Sequence, residues 1–151
     1  VLLLWASRKL ERPIKWVAER SEDNSSALHG RDVTTHARLA LDTDGKFLAL
    51  EADLTANMGA YLSAGGPNAS TNASTNAAST AMGGVYNLPL IFMRSKGVFT
   101  NTTPVDAYRG AGKPEANFII ERLIDTAAVK FNFDPVELRE KNIISVLLSG
   151  S

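Results

Sequence analysis

The chain has no cysteine, no excess of charge of either sign and no apolar run long enough to cross a bilayer. The absence of cysteine excludes a disulfide framework, a thiolate zinc site and a cysteine-ligated iron–sulfur cluster within these residues. Lysine plus arginine and aspartate plus glutamate each number 16, so the formal net charge is zero. Nucleic-acid and membrane partners are therefore not expected, because the former require a basic surface.

The remaining composition is ordinary for a globular domain, with 151 residues of which 44% are hydrophobic and 21% charged. No cleavage pattern follows the short apolar start, so no secretory signal is indicated and a cytoplasmic location is predicted. The chain begins inside an apparent helix without an initiator methionine and ends in an apolar run at residues 143–148. We interpret residues 1–151 as part of a longer polypeptide; a small complete domain with frayed ends is the alternative.

The most informative stretch is the loop at residues 102–116, which leads into a predicted helix. Gly110 and Gly112 flank Ala111, so the backbone N–H groups here can approach a ligand closely. Arg109 precedes them with a planar, permanently charged guanidinium, and the helix offers free N–H groups and the positive end of its dipole. This combination suits an anionic, polyoxygenated ligand. In isolation it also fits a strand-to-helix turn with a solvated arginine.

Hydrophobic periodicity predicts a β-hairpin and a third strand. Residues 33–41 alternate with a period of two, and residues 42–45 form a turn. Residues 47–57 return with Leu48, Leu50, Ala52 and Leu54 on one face. Residues 91–100 form a strand that enters the loop, and residues 14–17 are predicted as a short buried strand before a charged turn at 19–23.

Helices are predicted at residues 1–10, 67–81, 114–131 and 135–142. The third is the clearest, because its apolar side chains form one stripe: Ala116, Ile119, Ile120, Leu123, Ile124, Ala127, Ala128 and Phe131. The fourth opens with Asp134 as its cap and Pro135 at its first position. Residues 67–81 are rich in Asn, Ala, Ser and Thr, a composition also typical of a flexible tract.

No metal-ligating residue is predicted. His29 and His36 have no third ligand near them in the sequence. The segment from Asp42 to Gly45 resembles the start of a calcium loop but lacks the later ligands, and it joins strands rather than helices.

The run from Ala107 to Ala116 resembles the active-site loop of the molybdenum hydroxylases, which include xanthine dehydrogenase, aldehyde oxidoreductase and carbon monoxide dehydrogenase large subunits. Further runs fit the same family at residues 19–23, 59–61, 85–89, 97–104 and 134–142. The resemblance covers nearly the whole chain. It implies an α+β fold with a mostly antiparallel, hairpin-centred sheet and helices packed on it, forming part of a larger molybdopterin-binding domain.

The resemblance also implies a function. Family members hydroxylate an aldehyde or N-heterocycle with water, using molybdenum held by molybdopterin, which in bacterial members is usually the cytosine dinucleotide form. Electrons leave through 2Fe-2S and FAD groups on partner domains or subunits. The implied partners are the remainder of the large subunit, the iron–sulfur and flavin subunits and a small-molecule substrate.

The implied site residues are Arg109 and Arg20 lining the molybdenum pocket, with the backbone of Gly110, Ala111 and Gly112 contacting or orienting the cofactor's ligands. Carbon monoxide oxidisers carry cysteine at the position of Gly110, so that reaction is not expected. Xanthine and aldehyde enzymes carry an aromatic residue at the position of Ala111, so a roomier pocket is expected.

Two features of the family are absent from this sequence: the glutamate base, and the glycine-rich run that family members carry just upstream of the region resembled here. The isolated chain is therefore expected to be inactive and to hold little molybdenum. The competing interpretation is a structural or oligomerisation module in which the glycine loop only joins a strand to a helix.

Overall fold

Three strands form the centre of the computed structural model, which describes residues 1–65 and 82–145. They are β1 (Val33–Leu41), β2 (Phe47–Gly59) and β3 (Ile91–Phe99), in the spatial order β1-β2-β3. β1 and β2 form the predicted antiparallel hairpin, whereas β3 runs parallel to β2. The expected α+β class is confirmed, although one of the two strand pairings is parallel and the sheet is not mostly antiparallel.

The parallel pairing follows from the path of the chain. Leu50 lies opposite Ile91 and Gly59 opposite Phe99, so the chain leaving β2 returns to the other end of the sheet before β3 begins. Parallel neighbours require such a long connection, whereas antiparallel ones can be joined by a tight turn. The helix predicted at residues 67–81 falls within this connection and lies outside the described residues.

Four helices lie in the described ranges: α1 (Leu2–Leu10), α2 (Arg20–Ser26), α3 (Lys113–Phe131) and α4 (Pro135–Asn142). Within these ranges no helix combines the length and apolar character needed to cross a bilayer.

Two predictions for the N-terminal part are wrong. Residues 14–17 form no strand, and Val17 is 71% exposed. An apolar segment becomes a strand only when a neighbour takes its N–H and C=O groups, and within the described ranges none does so. The charged turn predicted at residues 19–23 is instead mostly the first part of α2.

α3 buries most of its predicted stripe against the sheet. The buried members are Ala116, Ile119, Ile120, Ile124, Ala127 and Ala128. They share one core with Phe47 and Leu50 of β2. The expected last member, Phe131, is 54% exposed. Asn132 ends the helix in the left-handed conformation, and the Phe133 N–H donates to the Ala128 carbonyl at 2.9 Å, which brings Phe133 against the core instead.

The inner face of β2 departs from the expected alternation at one end. Leu48 was expected inside, but it is exposed while Phe47 is fully buried. The register shifts between Ala40 and Leu41, so that Leu41 lies opposite Phe47 and Leu48 is left out of the pairing. Such a bulge reverses the faces on which the following side chains lie.

α4 holds the hairpin turn through one buried amide. Its start is capped as predicted, because the Asp134 carboxylate accepts the N–H groups of Val136 and Glu137. At its end the Asn142 side chain accepts the Phe47 N–H at 2.7 Å and donates to the Gly45 carbonyl at 2.9 Å. A buried amide with these partners fixes the turn to the helix.

Replacing Asn142 by alanine should lower the free energy of unfolding by about 2–3 kcal/mol, because the buried Phe47 N–H and Gly45 carbonyl lose their partner. Urea unfolding measures the change. Asn117→Ala, at an exposed position of α3, is the matched control and should change the value by at most about 0.5 kcal/mol. Equal effects of the two substitutions would contradict the conclusion that the Asn142 amide fixes the hairpin turn to α4.

A polar network joins α3, α4 and the segment before β3. The Tyr86 hydroxyl donates to Glu121 Oε1 at 2.7 Å, while Arg139 donates to Glu121 Oε2 through two nitrogens and to Asp125 at 2.7 Å. Burial of the hydroxyl is the largest cause, and the hydrogen bond to Glu121 the second, of a pKa of Tyr86 that is raised to about 12. The protonated phenol therefore stabilises the fold fully below about pH 10, and this contribution is lost as the pH rises through 12.

In near-ultraviolet titration of the three tyrosines, the phenolate step with its midpoint at about 12 should belong to Tyr86. Tyr86→Phe should remove that step and leave the others. Persistence of the step in the variant would show that another group produces it.

Candidate functional site

The C-terminal end of β2 fixes the start of the glycine loop. Gly59 has φ +73°, and a Cβ built there would lie 2.7 Å from the Pro104 nitrogen. Only glycine permits both this conformation and this approach. The Ala60 N–H donates to the Thr102 carbonyl at 3.0 Å, so the strand end and the loop are in backbone contact.

The Asn57 side chain connects three segments at the same point. Its amide nitrogen donates to Asp32 Oδ2 at 2.6 Å and to the Thr102 hydroxyl at 2.7 Å. Its amide oxygen accepts the Thr100 hydroxyl at 2.7 Å and the Gly59 N–H at 2.8 Å. Both donor and both acceptor positions of this amide are used, and they hold the residue before β1 and the segment after β3 to the end of β2.

The chain between α2 and β1 runs beside the loop. His29 and Val105 form a parallel bridge: the His29 N–H donates to the Pro104 carbonyl at 3.2 Å, and the Asp106 N–H donates to the His29 carbonyl at 2.8 Å. The Asp106 carboxylate then accepts the Ala107 N–H at 2.6 Å, which is the largest cause of its lowered pKa. The loop is thus held by backbone contacts on both sides before it reaches Arg109.

Arg31 contacts the loop with its whole guanidinium. Nη2 donates to the Arg109 carbonyl, and the group lies 4.8 Å from the centre of the Tyr108 ring. Nε lies 3.4 Å from Glu115 Oε1 in the first turn of α3. Arg31 itself has φ +63°, an uncommon conformation for a residue with a side chain.

The backbone from Gly110 to Gly112 turns in the left-handed region, with φ +94° at Gly110, +25° at Ala111 and +90° at Gly112. The Ala111 N–H donates to the Tyr108 carbonyl at 2.8 Å. Neither the Gly110 nor the Gly112 N–H has a hydrogen-bond partner in the described part of the chain. α3 follows directly and has no side-chain cap. Successive N–H groups in such a turn form a concavity that suits an anion.

Arg109 is exposed at the mouth of this turn, and its side chain has no ion pair or hydrogen bond with any described residue. The structure therefore places Arg109, Gly110, Ala111 and Gly112 in one turn, in which Arg109 and Gly110 are exposed, Ala111 is half-buried and Gly112 is buried. Arg20, the other predicted pocket residue, is the exposed first residue of α2, and its side chain has no hydrogen bond or ion pair with the described residues.

A cleft of about 390 Å³ lies beside the loop and is lined by Arg31, Val33, Thr35, Pro114, Glu115, Phe118 and Ile119. Glu115 is its most polar wall: its side chain is 17% exposed, and its Oε2 is buried without a partner among the described residues. In residues 1–65 and 82–145 there is no group of three His, Cys, Asp or Glu side chains arranged to hold a metal ion.

Sequence reasoning missed Arg31, Asn57 and Glu115. Their contacts join positions far apart in the chain, such as Arg31 and Arg109, which are 78 residues apart. Local periodicity carries no such information. The one available signal was Gly30 before Arg31, which allows the Tyr108 side chain to approach closely.

Gly59→Ala should lower the free energy of unfolding by more than about 2 kcal/mol, since the new Cβ meets backbone atoms of Pro104 at a positive φ. Gly97→Ala is the matched control. Its Cβ would meet only the flexible Met58 side chain at 3.2 Å, without a positive φ, and its effect should stay within about 1 kcal/mol. A Gly59 variant as stable as the Gly97 variant would contradict the close approach.

Comparison with known proteins identifies the family. The protein-family model described as the molybdopterin cofactor-binding domain matches residues 1–143 of this chain. The carbon monoxide dehydrogenase large chain of Hydrogenophaga pseudoflava is 36% identical, over 95% of this chain and 18% of its own length. The gamma subunit of the 6-hydroxypseudooxynicotine dehydrogenase complex of Paenarthrobacter nicotinovorans is 34% identical, over 96% of this chain and 18% of its own.

Solved structures agree. Quinoline 2-oxidoreductase from Pseudomonas putida 86 superposes with a TM-score of 0.82 at 33% identity, covering 96% of this chain and 18% of that chain. The chain thus spans about 18% of the length of each of these three relatives. It belongs to the molybdopterin cofactor-binding domain family of the molybdenum hydroxylase large subunits.

Proposed function

We propose that this chain forms one wall of the molybdenum site in the large subunit of a bacterial, cytoplasmic molybdenum hydroxylase. The parent enzyme hydroxylates an aldehyde or an N-heterocycle with water, and 2Fe-2S and FAD partners accept the electrons. The observation that carries the proposal is the unpaired Arg109 guanidinium next to the exposed Gly110, whose N–H group has no hydrogen-bond partner among the described residues.

This donor set fits molybdopterin chemistry. Phosphate and metal-oxo oxygens accept hydrogen bonds, and the unpaired N–H group of the exposed Gly110, the uncapped start of α3 and Arg109 are all donors or positive charges. When bound, the molybdenum–molybdopterin group, in its cytosine dinucleotide form, supplies the redox chemistry. The protein residues orient it, and Arg109 stabilises negative charge that develops on the substrate. Arg20 is a second pocket residue in this proposal.

The isolated chain is inactive in this proposal. A general base is needed for proton transfer, and the implied glutamate base is not among these residues.

The substrate class follows from the small loop residues and from the relatives' names. A cysteine at position 110 would not fit this backbone, because a Cβ there lies 2.9 Å from the Pro114 ring at φ +94°. That argues against carbon monoxide oxidation. Ala111 leaves space where a large side chain would narrow the pocket. Two of the relatives are named for oxidising quinoline and 6-hydroxypseudooxynicotine, which supports an N-heterocyclic substrate.

One observation favours a purely structural module. None of the residues of α1 is buried, although Leu2, Leu4 and Trp5 are large and apolar. Exposed apolar faces of this kind mark contact surfaces. The two interpretations differ in what they require of Arg109, because only the enzyme needs its charge.

In the complete large subunit, Arg109→Gln should lower kcat per bound molybdenum by about 10²–10³-fold, because a charge aimed at developing negative charge is lost. Steady-state kinetics and metal analysis measure this. Arg38→Gln is the matched control: it breaks an exposed ion pair with Glu51 on the sheet and should leave kcat unchanged.

Absence of molybdenum from the unmodified large subunit would overturn the enzyme assignment. Full activity of the Arg109 variant would overturn the role of Arg109 and leave the structural module as the better account of the loop.

A further inference from the structure

Arg31 determines which side of the loop faces outward. The Arg109 carbonyl and the Gly110 N–H belong to the same trans peptide plane, and they point in opposite directions. Because Arg31 Nη2 binds that carbonyl, the Gly110 N–H is directed away from Arg31. Rotation of this peptide would instead present a carbonyl oxygen to any anion in front of the loop, and the interaction would become repulsive.

Two further contacts fix the guanidinium in place. The Arg31 guanidinium lies 4.8 Å from the centre of the Tyr108 ring, and the absence of a side chain at Gly30 allows the Tyr108 side chain to approach the chain closely there. Glu115 lies 3.4 Å from Nε and balances the charge. The Arg31 side chain is 33% exposed and that of Glu115 17%, so the pair is shielded from solvent more than the other ion pairs of the sheet.

The two arginines therefore differ in what they can do. Arg31 is engaged on three sides, by the Arg109 carbonyl, the Tyr108 ring and the Glu115 carboxylate. Arg109 has no partner among the described residues and remains the cation available to a ligand. The Arg31 backbone at φ +63° shows that the fold maintains an unfavourable conformation to keep this side chain against the loop.

We propose that Arg31, held by Glu115, is a positioning residue that sets the peptide between Arg109 and Gly110 so that the Gly110 N–H faces the cofactor. This rests on the proposed function. A lysine cannot replace Arg31, since an ammonium offers no planar fork that can bind a carbonyl, stack on a ring and pair with a carboxylate at once.

The test uses the complete, cofactor-loaded large subunit with Arg31→Gln, Arg31→Lys and the control Arg38→Gln. All three keep a side chain at their position, so the backbone strain at residue 31 is unchanged. Hydrogen exchange is followed by mass spectrometry in the peptide around residues 106–113, and kcat and KM are measured per bound molybdenum.

Both Arg31 variants should speed exchange in that peptide by about tenfold or more, because a charge-assisted hydrogen bond to its backbone is lost. Exchange in β2 should not change. kcat per bound molybdenum should fall about tenfold with KM nearly constant, and lysine should not restore it. Arg38→Gln should alter neither measurement.

Unchanged exchange in the Arg31 variants would overturn the proposal. Faster exchange with an unaltered kcat per molybdenum would also overturn it, because Arg31 would then only stabilise the loop. Wild-type kcat in the Arg31→Lys variant would overturn the claim that the planar guanidinium is required. A subunit without molybdenum would instead refute the proposed function, and the exchange data would still decide whether Arg31 sets the loop conformation.

Discussion

The backbone contact between Gly59 and Pro104 is the constraint on which the site depends. β2 is the central strand, and its inner face forms the core with α3. Where β2 ends, the absence of a side chain at Gly59 lets the loop cross it at a distance that no other residue permits. The position of the loop is therefore set by the most buried part of the protein rather than by the loop's own residues.

The loop is then completed by polar contacts from elements distant in the sequence. Asn57 holds Thr100 and Thr102, His29 pairs with Val105, and Arg31 reaches the Arg109 carbonyl. Each contact satisfies a backbone or amide group that would otherwise be unpaired. The consequence is a preformed turn in which the unused groups, two N–H donors and one guanidinium, have the same electrostatic character. A site that is organised before its ligand arrives loses less entropy on binding.

The elements governed by local periodicity could be predicted from the sequence. Those predicted correctly are β1, most of β2, α3 and the capped start of α4, because burial of one face or a single cap determines each of them. The parallel pairing of β3 could not, because it depends on where the chain goes between β2 and β3. The exposure of Leu48 depends on a bulge, and residues 14–17 lack a strand partner among the described residues. In the candidate site, the loop around Arg109 was selected from its residues and its role stays a prediction, whereas the contacts of Arg31 and Asn57 are created only by the fold.

Our proposal requires the turn at residues 109–112 to be an anion-binding surface that is formed before the cofactor arrives. A crystal structure of the complete, cofactor-loaded large subunit tests it most directly, through the distances from the Gly110 and Gly112 nitrogens and the Arg109 guanidinium to the nearest cofactor or substrate oxygen. We expect hydrogen-bond distances of about 3 Å for at least one of these N–H groups, with the turn's backbone conformation unchanged. A turn covered by other protein segments, with no anionic group beside it, would contradict the claim.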